Sequence, residues 1–400
     1  MNRPDVAVIG AGMMGVCTAL ELAQRGCRVA LFDKEPGPMT QASIAGEGKL
    51  HCGFLYAKDP TLRTAAMMRR GALSFPSLIA KWTGGPIPDS AWSRPFRYAV
   101  HRRSLLGPEQ VEEHFRRVAA AFAGDGSRPG ASYPGHQGGP LYRTVPRRER
   151  AAAYSDDIVA AYQTIERAVN PEHVVALLRA ALFADSRISF HPAHLVDRVE
   201  GESERFEVIV AEERHGPFHH VVNASWAGRL ALDEGRGLVP NRPWLFRYKV
   251  GIDIETAADV EDAPSTTIVL GPFGDVVNRG GGHWYLSWYP VCYLESGDQV
   301  VLRRRTTAAD EAACVEPTLS GLESLVPAVG KLRSADRIRV KGGMIFSWGD
   351  GDIHQNETEL HQRFDIGPAS FGNYHTVDTG KLTTAPLFAR EVAARVAPER

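Results

Sequence analysis

The chain reads as an α/β protein in which an antiparallel, β-rich domain interrupts a parallel-sheet domain, and three observations predict it. Short uncharged runs at Val6–Ile9 and 28–33 enclose a helical pattern, as buried parallel strands joined by a crossover helix do. The same texture returns at 155–235 and at 340–400. Between these blocks the runs lengthen, alternate and fill with aromatic and branched residues. The first domain is therefore expected over 1–85, 155–235 and 340–400. The second is expected over 86–154 and 236–339, inserted twice.

The first turn carries the most chemistry. Gly10-Ala11-Gly12-Met13-Met14-Gly15 follows a branched, apolar strand and opens a helical pattern over 16–25. Gly10 allows a tight turn, Gly12 lets a pyrophosphate approach the backbone, and Gly15 lets the helix lie close to the strands. Met13 and Met14 begin that helix, whose free N–H groups and positive dipole end suit phosphate. Gly26 stands where a left-handed cap is expected. Asp33 closes the next strand, 18 residues beyond Gly15, and suits a ribose 2′-hydroxyl; an NADP site would favour Arg there. The layout is that of a dinucleotide-binding unit, so the reactive chemistry is expected to belong to a bound cofactor.

The remaining elements follow in order. A loop rich in Pro, Gly and Ser spans 36–48, and a helix is expected from 61 to about 82. A strand at 96–100, a helix at 108–122 and a Gly/Pro-dense surface loop at 124–139 come next. Asn170-Pro171-Glu172 is a helix start with a capping Asn, and the helix should reach about 183. Strands are expected at 188–191, 196–199, 206–210 and 219–223, the last running into the small residues 224–228. Longer antiparallel strands are expected at 244–254, 266–270 and 283–289, and short helices near 308–314 and 319–325. A strand at 338–348 and a final helix from about 384 to 396 complete the chain.

The bulk numbers narrow the setting. Four hundred residues, 44% of them apolar, make a folded chain with a large core. A net charge of −1 gives no reason to expect a nucleic acid or an anionic membrane as partner, and no stretch approaches a membrane span. The five cysteines are scattered, odd in number and without zinc spacing, which points to free thiols, no metal site and a cytoplasmic setting.

The glycine turn, Asp33, the 221–228 segment and Gly380-Lys381-Leu382-Thr383 together resemble the D-amino-acid oxidase superfamily of FAD enzymes, the group of glycine oxidase and sarcosine oxidase. The resemblance implies a Rossmann-like FAD-binding domain of the GR2 type and noncovalent FAD. It implies that Gly10, Gly12 and Gly15 hold the pyrophosphate and that Asp33, with Lys34 beside it, meets the adenosine ribose. Ser43, Glu47, Gly48, Lys49 and Leu50 would lie along the ribityl chain and isoalloxazine. The Val196 backbone would meet the adenine, and Ala224 would border the cofactor. Gly380, Lys381, Leu382 and Thr383 would stand at the pyrimidine side, where a helix start and a cation stabilise the negative charge of reduced flavin.

Such an enzyme leaves its protein mainly orienting and electrostatic tasks. Lys49 and His51 lie in the loop expected to touch the flavin. Some relatives attach flavin through a histidine near the position of His51, but Leu50-His51-Cys52-Gly53 lacks their Trp-His pair. Arg363 is the candidate for gripping a substrate carboxylate, although its surroundings depart from the Gly-x-Arg-Pro pattern of relatives. Tyr374 and His375 are placed by chain position near the last motif. Tyr248, Tyr285, Trp288, Tyr289 and Trp348 could line a pocket, and Arg303 to Arg305 read as a solvated face.

The expected activity is oxidation of a C–N bond in an amine or amino acid, with oxygen or another acceptor taking the electrons. The alternative is oxidation of a 2-hydroxy acid or sugar-like hydroxyl, to which His51 lends support. An NAD-dependent dehydrogenase is disfavoured because it needs no site closed by residue 380. A non-catalytic Rossmann-type protein is disfavoured by the intact glycines and Asp33.

Overall fold

A computed structural model describes residues 5–125, 133–203, 205–257, 260, 263–301, 304–352, 355 and 358–398. Part of the expected 124–139 loop and Arg303 lie outside the described residues.

Six strands form the first sheet, in the order Gly367–Phe371, Tyr374–Asp378, His220–Asn223, Val6–Ile9, Val29–Phe32 and Ile188–His191. All neighbours are parallel except the first two, which form a hairpin. Val6–Ile9 and Val29–Phe32 are covered on both faces, which is why these two read as unbroken apolar runs. Val6, Val8, Val29 and Leu31 pack into the main core, shared with helices Met13–Gln24, Arg63–Thr83, Pro171–Ala184 and Ala385–Val396. Ala7, Ile9, Ala30 and Phe32 point the other way, onto a small antiparallel sheet of Arg198–Glu200, Phe206–Val210 and Glu213–Phe218. Asn170 caps its helix as expected, accepting the Glu172 N–H at 3.1 Å.

The β-rich part is one nine-stranded sheet built around Trp244–Glu255. Two strands within the stretches assigned to the α/β domain lie here instead: the expected strand at 338–348, and Ile158–Thr164, which the sequence reading did not find. Ile158–Thr164 pairs with Phe96–His101, and Arg337–Trp348 pairs along its whole length with Trp244–Glu255, from Trp244 opposite Trp348 to Glu255 opposite Arg337. Both mix buried with partly exposed positions, unlike parallel strands buried on both sides. Ser265–Val269, expected to be antiparallel throughout, runs parallel to Phe96–His101 and antiparallel to Gly274–Gly280. The two short helices expected after residue 308 are one, Ala308–Glu323, started by a Thr307–Asp310 capping box and containing Pro317.

Candidate active site

A cavity of about 1030 Å³ lies between the carboxyl ends of the parallel strands and the nine-stranded sheet. Open parallel sheets bind ligands at this edge. Its volume reaches the top of the roughly 300–1,000 Å³ that holds drug-sized ligands, which leaves room for a dinucleotide and a small substrate.

The glycine turn forms one wall. Gly10 sits at φ +96°, and a Cβ there would stand 2.6 Å from the Ala224 carbonyl oxygen. A Cβ on Gly15 would lie 1.7 Å from the Gly10 oxygen, so Gly15 brings the helix against the strand and does not itself line the cavity. Gly12 faces open space, with only Ser43 Oγ near, at 3.7 Å from a built Cβ. Met13 and Met14 line the cavity at the helix start, and the Met13 N–H donates to Ser43 Oγ at 2.9 Å. These features fit a pyrophosphate cradle: bare backbone at Gly12 before the positive end of a twelve-residue helix.

Asp33 lines the same end. Its carboxylate accepts the N–H groups of Ala11 and Glu35, tying the turn to the strand end. Burial raises its pKa against the pull of those two amides. A carboxylate has about four acceptor sites, so capacity remains for a ribose. Lys34 is exposed at the rim, and Val196 and Ala224 line the wall. Arg304 and Arg305 also reach this wall and are held by acids, Arg304 by Asp310 and Arg305 by Glu35 at 2.8 Å.

The loop expected to face the flavin divides its tasks. Glu47, Gly48, Lys49 and His51 line the cavity, whereas Leu50 is buried behind it. Lys49 turns into the large sheet, where Nζ meets Thr267 Oγ1, lies 3.1 Å from Asp275 Oδ1 and stands 4.1 Å from the Phe96 ring centre. Burial pushes the Glu47 carboxyl up, but Lys381, Lys49 and Lys249 together hold it below its ordinary value. His51 is buried, and neither ring nitrogen has a hydrogen-bond partner among the described residues; Glu47 Oε1 stands 3.8 Å from Nε2. Burial, then Lys381 and Lys49, keep its pKa well below the usual imidazole value, so the ring is neutral at pH 7. Tyr56 packs edge-on to it at 5.6 Å, and its buried hydroxyl is also without a partner among the described residues.

The chain's far end closes the site. Gly380, Lys381 and Leu382 line the cavity, and Thr383 stands behind them, donating to the Lys49 carbonyl and accepting the His51 N–H, each at 3.1 Å. Trp348 does not line the cavity but braces this turn: Nε1 donates to Asp378 Oδ2 at 2.7 Å, and Asp378 Oδ1 accepts the Gly380 N–H at 3.1 Å. Burial and the neighbouring Arg363 bring the Lys381 pKa down to about 8. Arg363 lines the cavity too, its N–H held by Thr64 Oγ1 at 2.8 Å and its pKa lowered by burial.

Tyr374 is a correction. It is buried in the parallel sheet and does not reach the cavity; its hydroxyl donates to Asp233 Oδ1 at 2.9 Å and accepts from Asn223 Nδ2 at 3.0 Å. Nearness in sequence to Gly380 misled, because alternate strand residues face opposite sides and Tyr374 faces helix Arg229–Glu234. His375 faces the other way, onto His220 and Ser370. Of the aromatic candidates Tyr248, Tyr285 and Tyr289 line the cavity, and Trp288 does not.

Sequence reasoning missed Tyr56, Arg247, Lys249 and Asp275, all on the cavity wall. Arg247 and Lys249 carried a readable signal: two cations at i and i+2 on one face of the strand, flanked by apolar residues. Arg247 is buried, its guanidinium bonded to Ser347 Oγ and the Gly351 carbonyl and 3.6 Å from Asp352 Oδ1.

The sequence model of the DAO family, described as FAD dependent oxidoreductase, matches residues 5–395. A D-amino acid dehydrogenase of Sinorhizobium medicae (strain WSM419) is 39% identical over 49 residues, 12% of this chain and 12% of that protein. The match thus spans about an eighth of that relative's length. Among solved structures, a glycine oxidase from Geobacillus kaustophilus superposes with a TM-score of 0.72 at 16% identity, over 100% of this chain and 96% of that one. An L-alpha-glycerophosphate oxidase from Mycoplasma pneumoniae with FAD bound gives 0.70 at 16% identity, over 100% and 96%. At such identities the likeness is one of fold.

Proposed function

The chain belongs to the DAO family of FAD-dependent oxidoreductases, and from that premise we propose that it oxidises the C–N bond of a carboxylate-bearing amine or amino acid. When bound, FAD would supply the two-electron acceptor for the substrate carbon, leaving the imine as product, with one proton passing to the flavin and one to water. The reading rests most on the pair of cations at the closing end, Arg363 and Lys381, both lining the cavity. A guanidinium fork suits a carboxylate, and an ammonium beside it adds charge. The names of the matched D-amino acid dehydrogenase and glycine oxidase agree with this substrate class.

In this reading Gly10, Gly12 and the start of the Met13–Gln24 helix hold the pyrophosphate, and Asp33 the ribose. Glu47, Gly48, His51 and the 380–382 turn border the flavin, which is held without a covalent bond. Arg363 fixes the carboxylate and so aims the neighbouring C–H at the flavin. Leu55, Leu270 and Phe273 line the cavity and keep water from the reacting carbon.

One observation favours a second reading. His51 is a neutral imidazole with both nitrogens unbonded, the state required to take a hydroxyl proton from a 2-hydroxy acid. Anaerobic mixing with panels of amino acids, N-alkyl amino acids and 2-hydroxy acids separates the two. Bleaching of the flavin band by amines supports the first; bleaching by hydroxy acids alone rejects it. Arg363→Gln should raise KM for carboxylated amines at least tenfold while flavin content stays full.

A further inference from the structure

A second cavity, of about 310 Å³, lies where the Phe96–His101 and Ile158–Thr164 strands meet the segment around Gly135. Arg94, Arg97, Arg167, His136 and Gln163 line it, and among the described residues no Asp or Glu does. Arg97 is fixed, its Nε bonded to Gln163 Oε1 at 3.1 Å and its Nη2 to Glu149. Arg167 packs flat against Gly135, where a Cβ would stand 2.8 Å from the guanidinium carbon. Gly135 is at φ +72°, so glycine suits both the backbone and the close approach. The guanidiniums of Arg94 and Arg167 make no hydrogen bond or ion pair among the described residues.

Three guanidiniums around one small cavity repel one another, and only Arg97 has a carboxylate to offset its charge. A multivalent oxyanion would relieve this, since each planar fork can present two donors to one anion. We propose that this cavity is a binding site for a small phosphate-class anion, separate from the cofactor cavity. His136 would add an imidazole, whereas the Gln163 amide is held in place, its Nε2 donating to the Phe96 and Thr164 carbonyls. The cavity also lies next to the cofactor loop. The Arg167 carbonyl accepts the Leu50 N–H at 3.0 Å, and its own N–H donates at 2.7 Å to the Tyr133 hydroxyl, which in turn donates to the Leu50 carbonyl at 2.9 Å.

The test is calorimetric titration of FAD-saturated full-length protein with pyrophosphate, at ionic strength held constant with sodium chloride. Saturation with FAD removes the phosphate cradle as a competing site. The expected result is one saturable site per chain, weakened at least tenfold by Arg94→Gln and by Gln163→Glu, with flavin content unchanged in both. Arg94 is exposed, so its variant should fold normally. Phenyl phosphate titrated in parallel distinguishes the occupant: binding points to a phosphate ester, exclusion to the free anion, and the site stands with either. Absence of saturable pyrophosphate binding, or equal affinity in wild type and both variants, overturns the proposal.

Discussion

The Thr383 hydroxyl accepts the backbone proton of His51, a residue 332 positions earlier, at 3.1 Å. The same hydroxyl donates to the Lys49 carbonyl, so one oxygen pins the cofactor loop to the turn before the last helix. Thr383→Val keeps the shape and removes both bonds, leaving a buried N–H and a buried carbonyl without partners. Each such loss costs about 1–3 kcal/mol. Thermal unfolding should begin several degrees lower, FAD should bind more weakly, and Thr383→Ser should restore both. Unchanged melting and affinity in the valine variant would show that the bond does not hold the loop.

Gly12 and Gly15 of the first turn should fail differently. A side chain at Gly12 points into open cavity, so Gly12→Val should fold yet lose FAD at least tenfold, read as flavin absorbance per chain. At Gly15 the added carbon meets backbone, and overpacking of this kind costs about 1–3 kcal/mol or more. Gly15→Ala should therefore lower stability first. Full flavin content in a folded Gly12→Val protein would remove Gly12 from the phosphate cradle.

Tyr374 belongs to stability and not to the reaction. Tyr374→Phe withdraws one of the donors on buried Asp233 and the acceptor for Asn223. Unfolding free energy should fall by about 1–3 kcal/mol while kcat and KM stay within twofold. A tenfold loss of kcat at unchanged stability would return Tyr374 to the active site.

Lys381 ionises at about 8 against an ordinary 10.5, because burial and Arg363 disfavour its charge. Below pH 8 the folded and unfolded chains are both protonated here, and the burial penalty is fully present. Between 8 and 10.5 the folded chain has released the proton and the unfolded chain has not, so stability from this group rises with pH. The urea midpoint of the FAD-free protein should thus lie below that of Lys381→Met at pH 7, with the gap narrowing by pH 10. A constant gap would mean that Lys381 titrates normally.

What the sequence made legible was local. Gly10 to Gly15 and Asn170-Pro171 act through their own backbone, and residue type and spacing suffice to read them. Lys381 was found through the family resemblance of Gly380 to Thr383, with a helix start and a cation as its physical reason. Arg247 and Lys249 alternate on their strand, but they are set against the cavity through a pairing made far along the chain, Trp244–Glu255 with Arg337–Trp348. Nothing near them in sequence announces that partner. Lys49 was found, but its direction was not: Asp275 and Thr267, more than 200 positions later, turn its ammonium into the sheet.

The order of strands in the parallel sheet also sets a timetable. Val6–Ile9 is made first, yet its neighbour His220–Asn223 comes more than 200 residues later, and Tyr374–Asp378 later still. During synthesis the glycine turn waits as half of a site, with its apolar strand lacking partners on one side. On the proposed reading, enclosure of FAD waits for residues 380–383 as well, so cofactor capture would follow the assembly of strands made far apart in time.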